Sequence, residues 1–423
     1  MIKRFLFTLI AYFMSISLVF ATTTYTGVWI NTAYYPYPAT GITGVTYFND
    51  FQNPNSSINA DYSVGSATST FTRTNVNATY ITSAGLVGSV AVANTPRITY
   101  GYADSTGIHL YPKPGLMNER AVSNLSTYSY TYANAVWAKT NVTVSDASFT
   151  APDGTSNAST LTATADGATL LRTTAATGKT YSVWLYRKTG TGTISMTANS
   201  GATWTPITLI SGWARFQVTA TSALQTYGIK FDTSGDEVYA WVSQYEVNMH
   251  MTSTIINVTS ALTRGVENFA GVISGNRTAA AETIFIKFAP IGGPFMNTGL
   301  SQYLTTTSTV QRPIYKSDSL TTITARGIST TSGYQGSITP SANTIYTFAF
   351  ACQATGNPNS IGYWNGVRNP SNDENTDFTA PAWGTTFYIG ASGGSASDCV
   401  IFSFLCVDHY LTATEVALIS GRM

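Results

Sequence analysis

The sequence predicts an all-β protein: two tandem β-sandwiches after an irregular β-rich N-terminal segment. Short strand-like runs recur at close intervals, separated by Gly, Ser, Thr and Asn turns, with no helical period across 130–246. A second series of the same kind follows from Asn268. Only the end carries a convincing helix, opened by a capping box of Thr412 and Glu415 before the apolar Leu418 and Ile419. At 423 residues the chain is too long for one hydrophobic core.

Composition sets the surface and excludes partners. Hydrophobic residues make up 43%, enough for cores of ordinary size, while charged residues make up only 10%. Thr, Ser, Asn and Gly must therefore cover the outside. A formal charge of +1 offers no basic field for a phosphate backbone, so nucleic acid is not an expected partner.

Residues 1–21 read as a secretory signal peptide. Lys3 and Arg4 precede an apolar run to Phe20, and Val19 and Ala21 form a small-residue cleavage site. After cleavage no stretch is left that could span a membrane. Cys352, Cys399 and Cys406 are an odd set confined to the last quarter, which fits buried thiols better than a disulfide framework.

Region 22–125 reads as the irregular β-rich segment, with a short strand near Ala78. Its order of Arg73, Ala78-Thr79-Tyr80, Asn94-Thr95-Pro96-Arg97, Glu119 and Asn124-Leu125 resembles tailed-phage structural and tail-associated proteins, departing at Val122, where that pattern has Arg. Region 126–250 reads as one sandwich. Its Asp153-Gly154 turn supplies a side-chain cap and a φ > 0 position, and strands are expected at 168–174, 179–188, 193–198, 213–220 and 225–232. Trp137, Tyr181 to Leu185, Gly212-Trp213-Ala214-Arg215 and the closing run 238–246 resemble jelly-roll carbohydrate-binding modules. Gln244-Tyr245-Glu246, Thr252-Ser253 and Thr263-Arg264 match the way that family closes the module. The resemblance thus implies a connector at 251–267, and cutting near Thr254 is expected to release two folded halves.

Region 268–423 is the second sandwich. Trp364-Asn365-Gly366-Val367 is a hairpin signal, because a type I′ turn needs φ > 0 twice. With Tyr388-Ile389-Gly390, the apolar run 399–407 and Leu411-Thr412-x-x-Glu415, this region resembles laminin-G-like, concanavalin A-like sandwiches.

Catalytic patterns are missing. The alternating carboxylates used by sandwich glucanases do not occur, and Asp236-Glu237 and Asp373-Glu374…Asp377 have loop spacing. Gly390-Ala391-Ser392-Gly393-Gly394 has the letters of a nucleophile elbow without the strand-to-helix setting. His109, His250 and His409 are far apart and read as structural. What remains is aromatic surface on sheets, where sugar C–H faces pack on rings and amides or carboxylates bond the hydroxyls. Tyr181, Val183 and Leu185 alternate with Trp184 and Tyr186, so a core on the first set puts the second outside. The candidate carbohydrate contacts are Trp184, Tyr186, Trp204, Gln244, Glu246, Trp364 and Trp383, while Trp213 and Trp241 read as packing. No cofactor is required; a structural calcium on Asp373, Glu374 and Asp377 is the one metal option, by resemblance to concanavalin A-like domains.

These features lead to a non-catalytic, exported or virion-associated adhesion protein whose partner is a polysaccharide or cell-surface glycan. Two alternatives stay open: a decoration protein forming homo-oligomers, and a polysaccharide-cleaving enzyme acting through dispersed carboxylates.

Overall fold

A computed structural model of the chain describes residues 45–52, 68–90, 92–272, 281–292, 334–353, 360–368, 398–421 and 423, together with short strands elsewhere between 27 and 396. Among the described residues the protein is all-β, with Ala413–Ser420 its one helix. The proposed signal peptide lies outside the described residues, and among those described no helix is long and apolar enough to cross a membrane.

The central module is one curled eight-stranded sheet. Along its main path run Val142–Phe149, Ala158–Ala163, Glu237–Glu246, Ala168–Thr189, Ala214–Phe231, Ile194–Thr197 and Thr205–Ile207, with Trp137–Thr140 paired to Ala168–Thr189. The runs expected as separate strands at 168–174 and 179–188 are two halves of a single 22-residue strand. Its ladder with Ala214–Phe231 slips between Thr173 and Thr180, where Gly178 lets the ring of Tyr245 close in; a Cβ there would stand 2.8 Å from that ring. Such irregularities bend a strand without ending it, so both long strands turn the corner of the sandwich and enclose one core of Tyr181, Val183, Leu185, Phe216, Tyr227, Ile229 and Tyr245. The Asp153-Gly154 turn forms as expected: Gly154 has φ 82 and the Thr155 N–H donates to Asp153 Oδ1 at 2.9 Å.

A β-bulge in Glu237–Glu246 reverses which residues face inward. Trp184 pairs with Trp241 but Ser182 pairs with Gln244, so one extra residue is inserted, and Val242 sits there at φ 34. Before the bulge Val238 and Ala240 face the core; after it Tyr245 does. Strict alternation places Gln244 and Glu246 with Val238 and Ala240, whereas the inserted residue moves them to the opposite face, toward 252–255.

Two nine-stranded sheets form the C-terminal sandwich, and region 22–125 is not a separate irregular unit beside it. Val45–Asp50 and Gly107–Asn118 both pair with Cys399–Val407, and Thr68–Thr72 pairs with Asn268–Val272. Phe51, Phe71 and Leu116 accordingly share a core with Phe269, Ile284, Ile286, Phe288, Phe348, Phe350 and Phe404, and Cys352, Cys399 and Cys406 are buried within it. The other face of the same sheet carries Phe285, Ala349, Tyr363 and Leu405, on which helix Ala413–Ser420 packs through Val416 and Ile419. That helix has its expected capping box, and Asn365 and Gly366 take φ 51 and 77 in the expected hairpin turn.

Candidate functional site

Three features surround the outer face of the central sheet: a buried polar junction, a half-buried aromatic platform and a cavity.

The junction occupies what sequence reasoning treats as a connector. Side chains of Arg73, Arg97, Glu119, Arg264 and Glu267 are all fully buried. Arg97 donates Nε–H to Glu267 Oε1 at 2.8 Å and Nη2–H to Glu119 Oε2 at 2.8 Å, while Nη1 reaches Ser253 Oγ at 2.8 Å. Arg73 Nη1 bonds Glu267 Oε1 at 2.9 Å, and Arg264 Nη1 lies 3.2 Å from Glu119 Oε2. Burial pushes the Glu119 carboxyl up, but Arg264 and Arg97 more than reverse this and hold it below the ordinary range. At the C-terminal side Asp398 takes Arg120 Nε–H at 2.7 Å and faces His250 Nε2 at 3.0 Å. Burial there is again overcome, by Arg120 and His250, leaving the carboxyl far below its usual value.

Gln244 and Glu246 belong to this junction rather than to a solvent-facing surface, both being fully buried. Gln244 Oε1 accepts the Ile255 N–H at 2.7 Å and Glu246 accepts the Thr252 N–H at 3.1 Å, so the pair fastens segment 252–255 to the sheet. Burial leaves Glu246 raised despite Thr252 and Arg215. The residues that carry the phage-protein and module-closing resemblances, Arg73, Thr79, Arg97, Glu119, Asn124, Gln244, Glu246, Thr252, Ser253 and Arg264, thus converge in one network of structural bonds.

The outer face holds the aromatic residues expected there, with a different fate for each. Trp184 does point away from the core, but Ile81 and Val87 of the hairpin at 78–90 cover it, and its Nε1–H donates to Thr254 Oγ1 at 3.0 Å. At 1% exposure it cannot stack on a ligand from solvent. Tyr186 is half-buried beyond that cover. Around it stand Tyr239, Phe149 and Trp213, with ring centroids 5.7, 5.6 and 5.9 Å away, and Phe149 stacks on Tyr239 at 3.7 Å. Lys188 Nζ hangs 5.7 Å over the Tyr239 ring. Trp213, which reads from sequence as core, is half-buried and tethered by its Nε1–H to Thr150 O at 3.1 Å.

Other candidates are dispersed. Trp204 is half-buried beneath Lys230, 5.8 Å from the ring centroid, and leads into the strand at the far edge of the sheet. Trp364 is buried against Phe348 at 4.8 Å, so its place is core packing, not a loop-tip contact. Trp383 and the calcium candidates Asp373, Glu374 and Asp377 lie outside the described residues. Among those described no group of three or more His, Cys, Asp or Glu is arranged to hold a metal ion. Asp236, expected in a solvated loop, is buried beside Arg187 at 3.3 Å.

A cavity of about 210 Å³ beside the covered Trp184 leaves no mark in the sequence. Its walls come from remote segments: Tyr80 and Tyr102 from the N-terminal region, Arg215 and Gln217 from the central sheet, His250 to Thr254 from the junction, and Asn343 from the C-terminal sandwich.

No protein-family model matches the chain, and no curated protein matches it. Partial overlaps occur with solved structures. The botulinum neurotoxin serotype D ligand binding domain in complex with N-acetylneuraminic acid is 10% identical with a TM-score of 0.29, over 37% of this chain and 40% of that one. The receptor binding domain of botulinum neurotoxin type G is 11% identical with a TM-score of 0.26, over the same shares. Trypanosoma rangeli sialidase in complex with the inhibitor DANA is 12% identical with a TM-score of 0.27, over 34% of this chain and 23% of that one. The chain therefore spans less than half of each, and overlaps of this extent assign no ligand.

Proposed function

We propose that this protein is a non-catalytic adhesion protein that binds carbohydrate on the outer face of its central sandwich. The observation that carries this reading is the contiguous platform of Phe149, Tyr186, Trp213 and Tyr239, half-buried around one another with Lys188 at its edge. Rings fixed by their neighbours lose little freedom when a sugar packs on them, and an ammonium at the rim supplies a donor to the hydroxyls. Display outside a cell or on a virion is part of the proposal, supported by the leader-like start and the resemblance to phage tail-associated proteins. With Trp364 buried, the reading rests on the central module alone.

The test is retention of the full chain by bacterial surface polysaccharides in affinity electrophoresis. Replacing Tyr186 and Trp213 by Ala together is expected to weaken retention at least about tenfold, a loss of about 1.4 kcal/mol. Retention unchanged by the double variant would sink the platform. Sedimentation velocity distinguishes the homo-oligomer alternative, in which the same variant dissociates an assembly instead.

A further inference from the structure

The cavity beside Trp184 has the marks of a second, smaller binding site. Four of the residues lining it, Tyr111, Arg215, His250 and Asn343, each carry a solvent-inaccessible polar atom with no hydrogen-bond partner among the described residues: Oη, Nε, Nδ1 and Oδ1. They come from three different parts of the fold, so local turn chemistry does not account for them. Arg215 is the most telling. It is 4% exposed, its Nη1 donates to Thr252 O and its Nη2 to Ser182 Oγ at 3.0 Å, and Nε is the guanidinium nitrogen with no acceptor among the described residues. A buried donor in that condition is destabilising, and a suitable acceptor reverses this.

Arg215 is the one arginine on the lining. The lining's Glu119 is bonded by Arg97 and Arg264. Asp104, also on the lining, is turned to Thr106 and His109. The rest of the lining is suited to a polyol: Tyr80 and Tyr102 with the polar groups of Gln217, Thr252 and Thr254. At about 210 Å³ the space is below the roughly 300–1,000 Å³ of sites for larger ligands, so it accommodates one ring.

We infer that this cavity binds a single acidic sugar, its carboxylate accepting from Arg215 and its ring lying against Tyr80 and Tyr102. The inference rests on the carbohydrate reading of the neighbouring platform but uses none of its residues. Engagement of the inaccessible donors requires side-chain rotation at the wall, a common adjustment on binding.

Titration calorimetry of the full chain with glucuronate, galacturonate, glucose and acetate tests it, together with an oligosaccharide ending in glucuronate. Uronates are expected to bind, glucose at least about tenfold more weakly, and acetate without measurable heat. Binding of free and terminal uronate with similar affinity marks a site open to glycan ends; binding of the free acid alone marks a closed metabolite site, and either supports the inference. Arg215→Gln is expected to lower uronate affinity at least about tenfold. Because that variant also disturbs the junction, Ala342→Phe, which adds bulk to the lining from an exposed position, is expected to supply the same loss with the junction intact. Absence of uronate binding, equal binding of glucose, or binding that survives Ala342→Phe overturns the inference. Loss of uronate binding in Tyr186→Ala overturns the separateness of the two sites, whereas failed polysaccharide retention with uronate binding intact removes only the platform.

Discussion

Glu267 accepts from both Arg73 and Arg97 and from the Glu119 N–H at 3.0 Å, and is fully buried. Removing one partner of a buried charge network strands the others, at a cost of about 3–5 kcal/mol. Glu267→Ala is therefore expected to lower the urea unfolding free energy by that amount, far more than Glu237→Ala, whose carboxylate is a half-buried rim group bonded to Thr162 and Thr189. The same chemistry gives a pH dependence. Glu119 and Asp398 have folded pKa values below their ordinary 4.5 and 3.8, so their stabilisation is complete above those values and is lost as pH falls through the folded ones. Glu246 has the opposite sign: its raised value means that ionisation costs stability as pH rises past 4.5, partly offsetting the other two. Thermal melts from pH 7 to 2 should show stability falling steeply below about pH 4, and Glu246→Gln should raise the plateau at neutral pH relative to the acid limb. A plateau unchanged by Glu246→Gln would mean that Arg215 and Thr252 compensate the burial fully.

At the scale of elements, what could be read from sequence is what local chemistry decides. Asp153-Gly154, Asn365-Gly366 and the Thr412…Glu415 box each satisfy backbone demands within a few residues, and each forms as expected. Gly366 also lies against the helix, where a Cβ would come within 3.0 Å of Ala417 Cα. Gly366→Ala, strained in φ and in space, is expected to cost about 1–3 kcal/mol in a chemical denaturation curve. The bulge at Val242 was not legible, because an inserted residue leaves no compositional mark and the flanking letters still alternate. Yet it decides the site, since it carries Gln244 and Glu246 to the junction. Deleting Val242 would restore strict pairing while leaving Gln244 opposite Ser182 and Tyr245, whose hydroxyl bonds Gly178 O at 2.8 Å, opposite Tyr181 in the core. Both the deletion and Val242→Ala are therefore expected to remain folded by near-UV circular dichroism. The platform was half legible for the same reason: parity put Tyr186 outside correctly, but no local pattern tells that hairpin 78–90 covers Trp184 and stops short of Tyr186.

For the whole molecule, non-local pairing governs what can fold alone. The C-terminal core includes Phe51, Phe71 and Leu116, and strand Cys399–Val407 lies between Ala281–Pro290 and Val45–Asp50. A piece beginning at Asn268 would thus lack core residues and expose the edge of its most apolar strand, a site for aggregation. A piece spanning 126–250 would leave Glu246, Gln244 and Arg215 without segment 252–255, and Trp184 without its cover. Thr254 itself is buried, its carbonyl accepting from Thr79 Oγ1 at 2.6 Å and its hydroxyl from Trp184 Nε1. Separation at this point is therefore not expected to give two folded halves, in contrast to the sequence expectation of a connector. Limited proteolysis should leave 251–257 uncut until the chain unfolds globally, because backbone fastened and buried opens only with the structure around it. The decisive measurement is a protease site inserted after Thr254. A chain nicked there should sediment as one particle and melt in a single transition, whereas two particles with separate transitions would show that the junction joins independent domains instead of uniting them.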